Sequence, residues 1–115
     1  MSRSVREYLK HIRDEIDYIE AEVKRLEKAS FDGNETLKRA FVRSLEVIGE
    51  ATKHIPENLR SEYPQIQWRA ISGMRDRLIH HYFGIDYDIV WDVVQNHIPH
   101  LSDTIHEMLM REDIG

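Results

Sequence analysis

The sequence predicts an all-α fold, an up-and-down bundle of four main helices, on three observations. The first is a long heptad stripe: Val5, Leu9, Ile12, Ile16, Ile19, Val23 and Leu26 alternate spacings of four and three, with charged residues on the other faces. The second is that further apolar faces recur with the α-helical period, each bounded by turn-forming residues. The third is size: 115 residues with 41% hydrophobic content suit one packed domain, taken here as 1–115.

After the stripe, Phe31-Asp32-Gly33-Asn34 breaks the first helix, and Asn34 is placed to cap the next. The second helix is expected from about Glu35 to about His54, with Leu37, Phe41, Leu45, Ile48 and Ala51 on its apolar face and Pro56 beyond it. A short connector helix is expected at 56–60. Pro64 is expected to open a third helix carrying Ile66, Ala70, Ile71, Met74, Leu78 and Ile79 and ending near Phe83-Gly84. Asp86 or Asp88 caps the fourth, whose face holds Val90, Val94, His97, Leu101, Ile105 and Met108. Pro99 falls inside that pattern and is expected to kink or split the helix.

Composition narrows the function. There are no cysteines, which excludes a disulfide scaffold, a cysteine zinc site and a thiol nucleophile. No apolar run is long enough to span a membrane, and the opening MSRSVREYLKHIRDE has no signal-peptide core, so a cytoplasmic protein is expected. The net charge is −5, and residues 83–115 hold a single base, Arg111, against seven acids. Bulk electrostatics therefore do not favour nucleic acid; any RNA contact must be local, at a few arginines.

The densest chemistry lies in Met74-Arg75-Asp76-Arg77-Leu78-Ile79-His80-His81-Tyr82. On a continuous helix Asp76 and His80 are i,i+4 neighbours, and Arg75 and Tyr82 share a face. Histidine moves protons near neutral pH, and arginine stabilises a phosphate that gains charge. Those are the needs of RNA cleavage without a metal. By themselves, such residues are far more often found on a solvated helix surface than in a catalytic role.

The spacing Arg75, four residues, His80, one residue, Tyr82 resembles the signature of the HepT-like toxins of the HEPN superfamily. The stretches around it are similar as well: 41–51, FVRSLEVIGEA; 68–75, WRAISGMR; and 86–91, DYDIVW. The resemblance covers nearly the whole chain. It implies a HEPN-like bundle and a homodimer whose motif helices meet in a composite cleft. It implies a metal-independent endoribonuclease with no cofactor, Arg75 and His80 as its essential pair and Asp76 in support. It also implies the toxin role in a type VII-like toxin–antitoxin system. The partner would be a minimal nucleotidyltransferase antitoxin able to transfer AMP to Tyr82, with the AMP phosphate meeting Arg75 or Arg77. Two departures stand out: many relatives carry asparagine where this chain has Asp76, and the position of His81 is often small. The alternative is a non-catalytic helical module that binds a nucleotide or the nucleotidyltransferase.

Other residues take plainer readings. His97, His100 and His106 lack the carboxylates of a di-iron bundle, and His97, on the apolar stripe, is expected to be half-buried. Glu46 and Glu50 are expected on a helix surface, pairing with Arg43 or Lys53. Gly49 is expected to permit a close helix approach, and Trp68 and Trp91 to pack.

Overall fold

A computed structural model describes residues 3–80 and 84–115, with the backbone alone for Ile79 and His80. The main helices are α1 (Val5–Val23) and α3 (Glu35–Thr52), joined by the short α2 (Lys28–Asp32). The connector α4 (Glu57–Arg60) leads to a third leg made of α5 (Trp68–Ser72) and α6 (Met74–Leu78). The fourth leg is α7 (Tyr87–Asp92), a π-helical turn (Val93–His97) and α8 (Ile98–Leu109). The chain is thus predominantly helical, an all-α bundle.

The apolar stripes build the core as their spacing predicts. Leu9, Ile12, Ile16 and Ile19 of α1 and Phe41, Leu45 and Ile48 of α3 are wholly removed from solvent. Val5, Val23 and Leu26 sit at its margin. α1 ends at Val23, and Phe31 of α2 folds back to stack on Phe41 at 5.6 Å and to meet Trp91 at a tilt, 5.1 Å between ring centroids. Asn34 caps α3 by accepting from the Leu37 amide at 3.0 Å. Asp86 caps α7, accepting from the Asp88 and Ile89 amides. Arg6 closes the other end: its guanidinium donates to the carbonyl of Leu109, the last residue of α8, and to those of Arg111 and Ile114 beyond it.

The third leg departs from the sequence reading. It starts at Trp68 instead of Pro64, breaks at Gly73 and stops at Leu78. Beyond it, β1 (Ile79–His80) pairs antiparallel with β2 (Gly84–Ile85), Ile79 opposite Ile85 and His80 opposite Gly84. Gly84 has φ +74, which glycine adopts without strain. The Leu78 carbonyl is taken by the Asp86 amide at 2.9 Å, so the chain reverses into α7 where a longer helix was expected.

The fourth leg answers Pro99 in an unexpected way. Ahead of the proline the chain makes a π turn in which the Ile98 amide reaches the Val93 carbonyl, five residues back. The extra residue rotates the helix, so Ile98 enters the core, 2% exposed, in the place expected for His97. His97 is turned out to solvent instead of lying half-buried on the stripe, and its Nε2 lies 3.4 Å from Asp92.

Candidate active site

Gly49 positions the third leg against α3. A Cβ there would lie 2.9 Å from the Ile71 carbonyl oxygen, so only glycine allows this approach of α5. One turn on, Thr52 is buried, donates to the Gly49 carbonyl at 2.8 Å and lies 3.2 Å from the Ser72 hydroxyl. With α5 fixed, α6 follows after Gly73. Met74 and Leu78 face the core and Arg75, Asp76 and Arg77 are exposed.

Arg75 borders a cleft of about 360 Å³ walled by α1 and α3. Tyr8 and His11 come from α1; Arg43, Glu46, Glu50 and His54 come from α3 or its end. The Tyr8 and His54 rings stack at 4.4 Å, nearly parallel, and join the walls. Glu50 is engaged by Lys53 at 2.8 Å. That hydrogen bond, then the charges of Lys53, His54 and Arg75, hold the Glu50 carboxyl below the usual range. Neither Arg43 nor Arg75 is held in an ion pair or side-chain hydrogen bond among the described residues. Two guanidiniums and two imidazoles therefore converge where one of two carboxylates is already neutralised. In a protein of net charge −5, a lining that sets two arginines against two glutamates, one of them paired with Lys53, is less acidic than the chain as a whole.

The expected site residues fall as follows. Arg75 is in the cleft; Asp76 is exposed beside it on α6. The backbone of His80 lies in β1, just past the helix. His81, Tyr82 and Phe83 lie outside the described residues. Since α6 ends at Leu78, Asp76 and His80 do not share one helix; the expected sharing of a face by Arg75 and Tyr82 falls outside the described residues. Arg77 borders a different groove from Arg75, because two residues turn a helix by about 200°. Sequence reasoning missed Tyr8, His11 and His54. Each lies on or just past a helix whose apolar face alone was interpretable, and only the packing of α1 on α3 brings them together. Glu50 pairs with Lys53, as one of its expected partners.

The histidines of the fourth leg are dispersed. His106 Nδ1 lies 2.7 Å from the Ser102 carbonyl, and His97 lies beside Asp92. Among the described residues no group of three His, Asp or Glu is arranged to hold a metal ion. Trp68 is a packing residue, 8% exposed, with its indole N–H donating to the Tyr63 carbonyl at 3.0 Å. No helix among the described residues is long and apolar enough to cross a membrane.

Comparison with known proteins gives a consistent result. Residues 12–108 match the model of a family described as Ribonuclease HepT-like. The chain is 42% identical over 110 residues to a protein of Caldanaerobacter subterraneus subsp. tengcongensis named as a candidate RNase, covering 96% of this chain and 98% of the relative. It is 40% identical over 107 residues to a candidate RNase of Methanocaldococcus jannaschii, covering 93% and 88% of the two chains. A Thermococcus cleftensis protein named probable ribonuclease HepT is 37% identical over 108 residues, covering 94% and 98%. No solved structure matches the chain.

Proposed function

This chain belongs to the HepT-like ribonuclease family, and on that premise we propose that it is the toxin of a type VII-like toxin–antitoxin pair, an endoribonuclease whose own side chains do the chemistry without a metal. The observation that carries the proposal is the pair Arg43 and Arg75 in one cleft, neither held in an ion pair or side-chain hydrogen bond among the described residues, on a molecule otherwise acidic. The family's motif residues supply the rest. His80 takes the proton of a ribose 2′-hydroxyl as its oxygen attacks phosphorus. The bond from phosphorus to the 5′-oxygen then breaks, leaving a 2′,3′-cyclic phosphate, and the proton held by His80 passes to the leaving oxygen. Arg75 balances the charge that builds on the phosphoryl oxygens, where a planar, permanently charged donor is most effective. Asp76 supports the site from the last turn of α6. Two copies of the chain form the composite site, and a minimal nucleotidyltransferase antitoxin silences it by placing AMP on Tyr82.

The test is cleavage of RNA by the purified chain in saturating EDTA. Wild type is expected to cut, while Arg75→Ala and His80→Ala each fall by about a hundredfold or more with unchanged circular dichroism. Full activity in either folded variant removes that residue from the mechanism. Loss in chelator with recovery on adding a divalent ion removes the metal-free step. Light scattering tests the dimer. Intact mass after incubation with antitoxin and ATP tests Tyr82, where Tyr82→Phe is expected to gain no AMP.

A further inference from the structure

On the opposite side of α6 from Arg75, a groove of about 190 Å³ runs between the third leg and the π turn. Its polar lining is Arg77, His97, His100, Gln65 and Gln67, over a floor that includes Ile66, Ile71 and Met74. None of the lining residues is a carboxylate, in a chain with 21 acids against 16 lysines and arginines. The contrast is sharper for His97 and His100, since residues 83–115 hold seven acids and one arginine. Arg77 and His100 are in no ion pair among the described residues; Asp92 lies outside the lining, 3.4 Å from His97, and also accepts from Asn96 at 2.8 Å.

The π turn is what builds this lining. In an unbroken α-helix position 97 falls on the apolar stripe. The extra residue sends Ile98 inward and leaves His97 outside, facing the groove with His100 three residues on. Arginine, two imidazoles and two carboxamides all donate hydrogen bonds, and the apolar floor can take the face of a sugar or base.

We propose that this groove is a second RNA subsite, which holds a phosphodiester of the single-stranded substrate remote from the one being cleaved. The proposal rests on the ribonuclease reading of the cleft. An RNA strand would cross α6, with Arg75 and Arg77 on its two sides. Length of substrate would then contribute to affinity through contacts that a dinucleotide cannot reach.

The experiment is fluorescence anisotropy on the full chain with a labelled twelve-nucleotide RNA, 2′-O-methylated so that it binds and is not cut. Arg77→Gln and the double variant His97→Asn/His100→Asn are each expected to raise Kd about threefold to tenfold. Arg77→Gln should also lower the slope of log K against log salt by about 0.7, one phosphate contact on a single strand. Arg77→Lys, which keeps the charge, should recover most of the affinity and the slope. Unchanged Kd and slope in Arg77→Gln and in the double variant, with dichroism intact, overturn the subsite. So does altered binding of free AMP, or loss of self-association by light scattering, with Kd for the RNA unchanged. The binding assay is independent of turnover. If wild type binds through the groove yet cuts no RNA, the catalytic reading falls and the subsite stands. If Arg75→Ala stops cleavage and the groove variants bind normally, the reverse holds.

Discussion

The α1–α3 pair and the leg that runs from α5 into β1 are built on different principles. The pair consists of unbroken helices of 19 and 18 residues whose stripes are buried along their length. The other leg is two five-residue helices parted by Gly73, then a two-residue ladder. Helices that short do not stand alone in water; nucleation costs more than a few backbone bonds return. The third leg therefore takes its shape from its contact with α3, at Gly49 against Ile71 and at Thr52 beside Ser72. The segment that carries Arg75 is the one with the least regular structure of its own.

That contrast can be broken from the strong side first. Phe41→Ala removes a fully buried ring that stacks on Phe31, and should cost about 3–5 kcal/mol, read as a lower midpoint in denaturant. Melting of the third leg alone, with α1 and α3 intact by hydrogen exchange, would show that the regular pair is not what Phe41 supports. Gly49→Ala addresses the joint between the two regions. Its methyl group meets backbone, not a flexible side chain, so α5 must shift at a cost of about 1–3 kcal/mol. Because Arg75 moves with α5 and α6, cleavage should fall by more than the stability loss explains. Equal kcat/KM at a temperature where both proteins are fully folded would separate the joint from the site.

The smallest expected effect concerns Glu50. Lys53 holds its carboxyl below the ordinary range, so the pairing stabilises the fold above that ordinary pKa and is lost as pH falls through the lowered one. Lys53→Met should raise the Glu50 pKa toward its ordinary value, followed by carboxyl NMR shifts, with little change in melting because both groups are exposed. An unmoved pKa would mean that His54 and Arg75 suffice to hold the charge.

The legibility of the sequence follows the same division. Where packing repeats, as at Ile12, Ile16 and Ile19 or at Phe41, Leu45 and Ile48, side-chain period alone gives the helix and its buried face. Asn34 and Asp86 declare their helix starts because a cap is a local bond. Arg75 was legible as a motif residue, but its cleft was not: Tyr8 and His54 are 46 positions apart and meet only through tertiary packing. The end of α6 at Leu78 was hidden because Ile79 fits a helix stripe as well as a strand. The competing bond from Asp86 to Leu78 is non-local. His97 was misplaced because a constant 100° step has no room for a π turn.

That turn has a consequence for how the chain varies by descent. A π turn is an α-helix holding one residue too many. If one residue between Val94 and Ile98 were lost, Val90, Val93, Ile98, Leu101, Ile105 and Met108 would fall into an uninterrupted seven-residue phase, and the core would keep these members. Pro99 would then press on the carbonyl four places before it, a strain that substitution of the proline relieves. Deletion of one codon, paired with replacement of Pro99, should therefore yield a folded bundle with an altered outer face. Within a lineage, the gap and the proline are expected to be gained and lost together.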